Sequence, residues 1–237
     1  MTVTGIIPAR YGSTRYPGKP LVNILGKSMI QRVYEQCSKC QELNSVIVAT
    51  DDNRILNHVL EFGGKAVMTS KKHQTGTERC NEILNKLSLN TDILINIQGD
   101  EPLINPLQIT ELINLFNNRN IEIATLARKI DDRKILYHKH RPKVIIDKNK
   151  YALNFSREIT SLESEKKYYE HIGIYGYKKE TLTKISQLPE SRNEKEVNLE
   201  QLRWLDNNYN IKVGITNFQS FSVDTPEDVE EIKRQMR

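Results

Sequence analysis

Gly5-Ile-Ile-Pro-Ala-Arg-Tyr-Gly-Ser-Thr-Arg-Tyr-Pro-Gly-Lys-Pro20 opens as an apolar run and passes directly into a loop rich in Gly and Pro, with Arg10, Arg15 and Lys19 spaced along it. The apolar run reads as a first strand. In a wound α/β sheet, the loop at a strand's carboxyl end is where nucleotides bind. Guanidinium forks and an ammonium neutralise phosphate charge, and N–H groups around Gly12 and Ser13 add donors without side-chain bulk. Three cations at one strand end repel each other unless an anion visits, which favours a phosphate loop over a plain basic turn. The stretch contains neither G-x-x-x-x-G-K-[ST] nor G-x-G-x-x-G, so it is neither a Walker loop nor a dinucleotide fingerprint.

Further apolar runs follow at Ser45-Val-Ile-Val-Ala-Thr50, Ala66-Val-Met-Thr69, Asp92-Ile-Leu-Ile-Asn-Ile97 and Ile123-Ala-Thr-Leu-Ala127. Helical stretches lie between them at Ser28–Lys39, Asn53–Phe62, Thr77–Leu87 and Pro106–Asn117. Short, continuously apolar strands alternating with helices imply a parallel sheet covered on both faces. Asn53 and Thr77 are candidate N-caps, Gly63-Gly64 is a C-terminal stop, and Pro106 suits a first helical turn. The first ~125 residues read as a Rossmann-like wound, mostly parallel sheet with right-handed crossovers.

After Asp147 the pattern changes, because Tyr151–Ser156 and His171–Tyr177 alternate as strands that expose one face. An inserted antiparallel region at about 128–178 is expected. A helix at Val197–Asn207, a strand at Ile211–Ile215 and a helix at Pro226–Met236 follow it. At roughly 150 residues per domain, the length admits one large domain or two small ones. With no repeat, Pro/Gly linker or low-complexity tail, residues 1–237 are read as a single domain carrying that elaboration.

The 237 residues hold 35 Lys+Arg against 30 Asp+Glu, a formal charge of +5, and 27% are charged with both signs interspersed. Such a surface is solvated rather than polyelectrolyte-binding. The densest basic stretch, Lys129–Lys150, also contains Asp131, Asp132 and Asp147 and few stacking aromatics, so no nucleic-acid partner is expected. No window approaches the ~18 consecutive apolar residues of a membrane helix, and no basic leader precedes the first strand, so a cytoplasmic protein without a membrane partner is expected. Cys37, Cys40 and Cys80 cannot all pair with one another, and a core of this size needs no staples, so reduced thiols are expected. Cys37 and Cys40 have redox-motif spacing but sit late in a helix, where no dipole favours a thiolate.

Gln98-Gly-Asp-Glu-Pro102 ends the fourth strand and puts Asp100 and Glu101 at the sheet's carboxyl edge, opposite the basic loop. One carboxylate facing a phosphate loop suggests Mg²⁺, which takes few protein carboxylates together with phosphate oxygens and water. Asp224, just before Thr225 and Pro226, is a second candidate ligand, although Asp224 or Thr225 as a simple N-cap is the blander reading. Thr75-Gly-Thr-Glu-Arg79 also follows a strand on that side.

Ile7 to Pro20, Thr75-Gly-Thr-Glu-Arg79, Gln98-Gly-Asp-Glu-Pro102, His171-Ile-Gly-Ile-Tyr-Gly-Tyr177, Leu199-Glu-Gln-Leu-Arg203 and Val223-Asp-Thr-Pro-Glu-Asp228 occur in one order. That series resembles the 3-deoxy-manno-octulosonate (Kdo) cytidylyltransferases, and the match spans Ile6 to Asp228. The resemblance implies transfer of CMP from CTP to Kdo, giving CMP-Kdo and pyrophosphate for lipopolysaccharide or capsule assembly. It implies that Arg10, Ser13 and Lys19 meet the phosphates, that Arg79 lies near the nucleotide, and that Asp100 and Asp224 hold Mg²⁺. The implied sugar-acid pocket comprises Gln98, His171, Tyr175, Glu200 and Gln201, with Arg15 and Arg157. Arg10, Lys19, Asp100 and Asp224 would carry the catalysis, and a homodimer formed through the region after Ile123 is expected.

One departure concerns the segment after Phe155-Ser-Arg157, where the family continues with Ile-Pro and a longer loop. Here Glu158-Ile-Thr-Ser-Leu-Glu-Ser-Glu-Lys-Lys-Tyr-Tyr-Glu170 takes its place, which leaves 8-amino-Kdo or a sialic acid as alternative substrates. A reading from another class is a non-catalytic nucleotide- or RNA-binding module. It is disfavoured because a pure phosphate binder gains nothing from carboxylates beside the phosphates. Trp204 is expected to pack among Leu199, Leu202 and Leu205. Tyr175 and Tyr177 should share one strand face, and His58, His138 and His140 lack the spacing of a metal site.

Overall fold

In the computed structural model, which describes residues 1–12, 16–159 and 167–236, Val3–Ala9 forms the strand β1 and is buried along nearly its whole length. The chain continues through β2 (Asn23–Ile24), β3 (Lys27–Ser28), α1 (Met29–Cys37), β4 (Ser45–Thr50), α2 (Asn53–Glu61), β5 (Ala66–Met68), α3 (Gly76–Lys86), β6 (Ile93–Asn96) and α4 (Pro106–Leu115). It then runs through β7 (Ile123–Lys129), β8 (Lys143–Ile146), β9 (Ala152–Ser156), β10 (Tyr168–Lys178), α5 (Lys179–Ile185), α6 (Arg192–Val197), α7 (Gln201–Asp206), β11 (Ile211–Thr216) and α8 (Pro226–Gln235). These elements gather into two compact units, Met1–Thr110 with Ser220–Arg237, and Glu111–Gln219.

In the first unit β1 lies between β4 and β6, and β5 flanks β4, every pairing parallel. Both faces of such a sheet are covered, which is why its strands read as unbroken apolar runs. Ser28 caps α1 by accepting from the Gln31 N–H. Two expected caps move upstream. Asp52 caps α2 in place of Asn53, and Thr75 caps α3 in place of Thr77. In each case the earlier residue has extended backbone and a side-chain oxygen within reach of an orphan N–H, whereas Asn53 and Thr77 are already helical. Gly63 at φ 80° stops α2, and Pro106 opens α4, both as expected. The last helix, α8, closes on the β2–β3 hairpin through a cluster of Ile24, Met29, Val223, Val229 and Ile232.

The second unit contains the antiparallel strands that the alternating pattern announces. β10 pairs antiparallel with β7 and with β8, β8 pairs antiparallel with β9, and β11 pairs parallel with β7. β8 falls inside the basic stretch, where charge masked its strand character. The helix expected over Val197–Asn207 is the shorter α7, Gln201–Asp206, and a separate helix, α6, precedes it. A Ser191–Glu194 capping box starts α6, and Asn198 at φ 57° ends it before α7 begins. Among the described residues no helix is long and apolar enough to cross a membrane, and Cys37, Cys40 and Cys80 are buried thiols.

Candidate active site

The basic loop leaves β1 at Ala9, and Arg10 is exposed at that carboxyl end. The loop closes where the Gly18 N–H donates to the Tyr11 carbonyl at 2.9 Å. Gly18 sits at φ 72°, and a Cβ there would lie 3.1 Å from the Tyr11 ring, so the closure needs glycine. The next residue begins a short 3₁₀ turn and is Lys19. Its Nζ donates to Asp100 Oδ2 at 2.6 Å, to the Val223 carbonyl at 2.7 Å and to Asp224 Oδ1 at 3.4 Å.

Each acid is placed by its own local chemistry. Gly99 lets the turn after β6 lie against β1, since a Cβ there would meet the Pro8 carbonyl at 2.8 Å. The Asp100 carbonyl then accepts from the Val223 N–H at 2.9 Å and ties this turn to the segment before α8. At α8 the cap is Thr225, with Asp228 reciprocating in a capping box. Asp224 is thereby released from capping, and its carboxylate faces Lys19. The blander sequence reading is half right, because Thr225 does cap the helix.

Sequence reasoning missed Asp51 at this edge, and it placed Glu101 here without marking it as buried. Asp51 follows β4 and accepts from Arg79 Nη2 at 3.0 Å, while Arg79 Nη1 donates to Thr69 Oγ1 at 2.5 Å and to the Ser70 carbonyl at 3.3 Å. Arg79 is 3% exposed, so its guanidinium braces the ends of β4 and β5 from within. Glu101 is 5% exposed, and burial pushes its carboxyl up to about 7, with the Asp100 charge adding and a Ser220 hydrogen bond opposing. No spacing marks Asp51 in the sequence, and none marks Glu101 as buried. Gln98 is half-buried, and Ser13 and Arg15 lie outside the described residues. Among the described residues no three His, Cys, Asp or Glu side chains cluster as a metal site, so the acidic pair is Asp100 and Asp224.

The second unit assembles the other predicted residues around an aromatic cluster. Tyr175 stacks on Tyr177 with centroids 6.1 Å apart, so the two do share a face, and both meet Trp204 edge-on. His171 packs against Phe155 and Tyr175, and burial holds its imidazole down to about 3, so the ring is neutral. His171 Nε2 lies 3.0 Å from Thr125 Oγ1, whose hydroxyl donates to the Ile174 carbonyl at 2.7 Å. With that proton committed, the ring donates through Nε2 and leaves Nδ1 as an acceptor. The buried Tyr175 hydroxyl has no hydrogen-bond partner among the described residues.

Gln201 is buried at the start of α7, with Glu200 just before it. That helix is clamped to α6 by a two-pronged buried ion pair, Arg203 Nε and Nη2 donating to Glu194 at 2.7 Å each. Arg157 Nε donates to the Val197 carbonyl at 3.2 Å and its Nη2 to the Asn198 carbonyl at 2.9 Å.

Comparison with known proteins identifies the chemistry. A cytidylyltransferase family model matches residues 4–213. A 3-deoxy-manno-octulosonate cytidylyltransferase of Parabacteroides distasonis is 49% identical, covering 97% of this chain and 96% of that protein. The chain belongs to the 3-deoxy-manno-octulosonate cytidylyltransferase family. Its fold superposes with a TM-score of 0.93 on CMP:2-keto-3-deoxy-manno-octonic acid synthetase complexed with CTP, at 39% identity over 100% of this chain and 98% of that one. An 8-amino-3,8-dideoxy-manno-octulosonate cytidylyltransferase from Shewanella sp. strain ANA-3 is 45% identical over 100% of this chain and 99% of its own length.

Proposed function

We propose that the protein transfers CMP from CTP to the anomeric hydroxyl of Kdo and releases pyrophosphate, in the cytoplasm, for lipopolysaccharide or capsule assembly. The observation that carries this reading is the Lys19–Asp100–Asp224 cluster at the carboxyl edge of β1 and β6. It sits in a chain that matches a CTP-bound Kdo synthetase end to end. The Kdo-named relative from Parabacteroides distasonis, at 49% identity, favours Kdo over its 8-amino analogue.

The triphosphate carries its charge to Arg10, Ser13 and Lys19, which follow β1 directly. Arg79 supports the nucleotide side by holding the ends of β4 and β5 in place. Asp100 and Asp224 would hold Mg²⁺, a reading supported by the Lys19 ammonium, a cation that contacts both carboxylates. When bound, Mg²⁺ supplies charge neutralisation at the phosphates and lowers the pKa of the attacking hydroxyl. The sugar oxygen forms its bond to the α-phosphorus as the bond to the β-phosphate oxygen breaks, and Arg10 and Lys19 stabilise the departing pyrophosphate. No protein base is assigned, and the hydroxyl proton leaves to solvent.

For the sugar acid, Gln98, His171, Tyr175, Glu200 and Gln201 supply polar atoms matched to a polyol, with Arg15 and Arg157 as cationic contributors. A site built to pair hydroxyls rejects analogues lacking them better than apolar fit does. His171, neutral throughout the physiological range, serves as a hydrogen-bonding group and not as a base. The protein acts as a homodimer formed through the region after Ile123.

The test is pyrophosphate release with CTP and Mg²⁺, offering Kdo, 8-amino-Kdo and N-acetylneuraminate in parallel, with Asp100→Ala as the control. Release with Kdo, lost in the variant, supports the reading. Preference for another acid reassigns the substrate, and no release with any acid overturns the reading.

A further inference from the structure

Lys143 is 1% exposed, although it lies in the most basic stretch of the chain. It opens β8, opposite Ser156 of β9 and Glu170 of β10. Its Nζ donates to the His138 carbonyl at 2.7 Å and to the Arg157 carbonyl at 2.9 Å. Burial holds the ammonium below its ordinary range, while the Glu170 and Glu158 carboxylates oppose that and Arg141 adds to it. Glu170 is shared, being also 3.2 Å from Arg128 Nη2 and 3.3 Å from Arg141 Nε. A buried ammonium is expensive unless its protons and charge are matched, so what keeps lysine here is the pair of carbonyls it holds.

Those bonds lead to the proposed sugar pocket. The Arg157 main chain, pinned by Lys143, carries the guanidinium that donates to the Val197 and Asn198 carbonyls. Asn198 is the left-handed stop of α6, and Glu200 and Gln201 follow two and three residues later. On the other side of Lys143, the Pro142 carbonyl accepts from the His171 N–H at 2.9 Å. One lysine thus stands between the backbone of Arg157 and the strand that carries His171.

We propose that Lys143 is a positioning residue for sugar-acid recognition, its buried ammonium fixing the Arg157 main chain so that the Arg157 guanidinium braces the turn bearing Glu200 and Gln201. The proposal rests on those two residues contacting the sugar acid.

Steady-state kinetics of Lys143→Met should show KM for Kdo raised roughly tenfold, about the effect of losing one charge-assisted bond, with KM for CTP unchanged. Lys143→Arg, which keeps donors, should recover part of that loss. The double variant Lys143→Met/Arg157→Met should be no worse than Arg157→Met alone, because both act through one path. Parallel rises in both KM values, or additive effects, would overturn the proposal. Amide hydrogen exchange reads the same link without turnover: residues 198–201 should exchange faster in Lys143→Met while residues 3–9 are unaffected. Unchanged exchange at 198–201 would refute the brace even if the substrate assignment failed, and loss of pyrophosphate release from the unaltered protein would signal that separate failure. Should Lys143→Met not fold, Lys143→Gln carries both measurements.

Discussion

Lys19 Nζ lies 2.6 Å from Asp100 Oδ2, and the same ammonium reaches Asp224 Oδ1 at 3.4 Å. A divalent cation held by these two carboxylates, as proposed, would therefore contend with the ammonium for the same oxygens. Lys19→Met should bind Mn²⁺ more tightly than the unaltered protein when CTP is absent, by titration calorimetry or paramagnetic resonance. Its kcat should fall about 100-fold or more, since a cation aimed at developing charge is lost. Weaker Mn²⁺ binding in the variant would remove the competition.

Glu101 and His171 shape the pH dependence of stability in opposite directions. The Glu101 carboxyl titrates at about 7 when folded against an ordinary 4.5, so its favourable contribution is complete below pH 4.5 and is lost as pH rises towards 7. His171 is held down to about 3 from 6.5, so its contribution is complete above pH 6.5 and is lost as pH falls. Urea unfolding of Glu101→Gln should show a flatter profile between pH 4.5 and 7 than the unaltered protein, and higher stability at pH 8 by up to ~3 kcal/mol. An unchanged slope would show that Glu101 ionises normally.

The Tyr175 hydroxyl, buried without a partner among the described residues, separates packing from recognition. Tyr175→Phe keeps the stack on Tyr177 and removes only an unsatisfied oxygen, so the melting temperature should hold or rise. If the hydroxyl meets the sugar acid, KM for Kdo should rise several-fold in that same variant. A stable variant with unaltered KM would assign Tyr175 to packing alone.

Breaking the Arg203–Glu194 pair should destabilise strongly. Both side chains are buried, and removing one partner strands the other charge, a loss of ~3–5 kcal/mol for Arg203→Met. The double variant Arg203→Met/Glu194→Met should recover part of that loss in chemical denaturation, and equal losses in single and double variants would argue that the packing, not the ion pair, holds α6 to α7.

The parallel strands were legible because each is apolar along its length, and the bounds of β4 match the run Ser45–Thr50 residue for residue. β8 was not, because Lys143 and its basic neighbours look solvent-facing, while a single buried lysine is decided by the His138 carbonyl, the Arg157 carbonyl just after β9 and the Glu170 carboxylate of β10. The caps of α2 and α3 were misplaced by one and two residues, since Asp52, Asn53, Thr75 and Thr77 are all competent capping types and only backbone conformation selects among them. The motif residues Asp100 and Asp224 were found by their neighbours in sequence. That Lys19 bridges them was not, because 81 and 205 residues separate the lysine from its two partners.

Local pattern was enough to give the wound parallel half, the antiparallel elaboration, the basic loop after β1 and the family, since each depends on periodicity or on residues adjacent in the chain. Folding alone determined which charges are buried. Arg79, Glu101, Lys143 and Arg203 carry the same side chains as the exposed charges around them, and each is set apart by partners that the turn after β5, the Ser220 segment, the end of β9 and helix α6 bring to it. Desolvation and hydrogen bonding act through space, so a residue's role there is written in the tertiary contacts and not in its position along the chain.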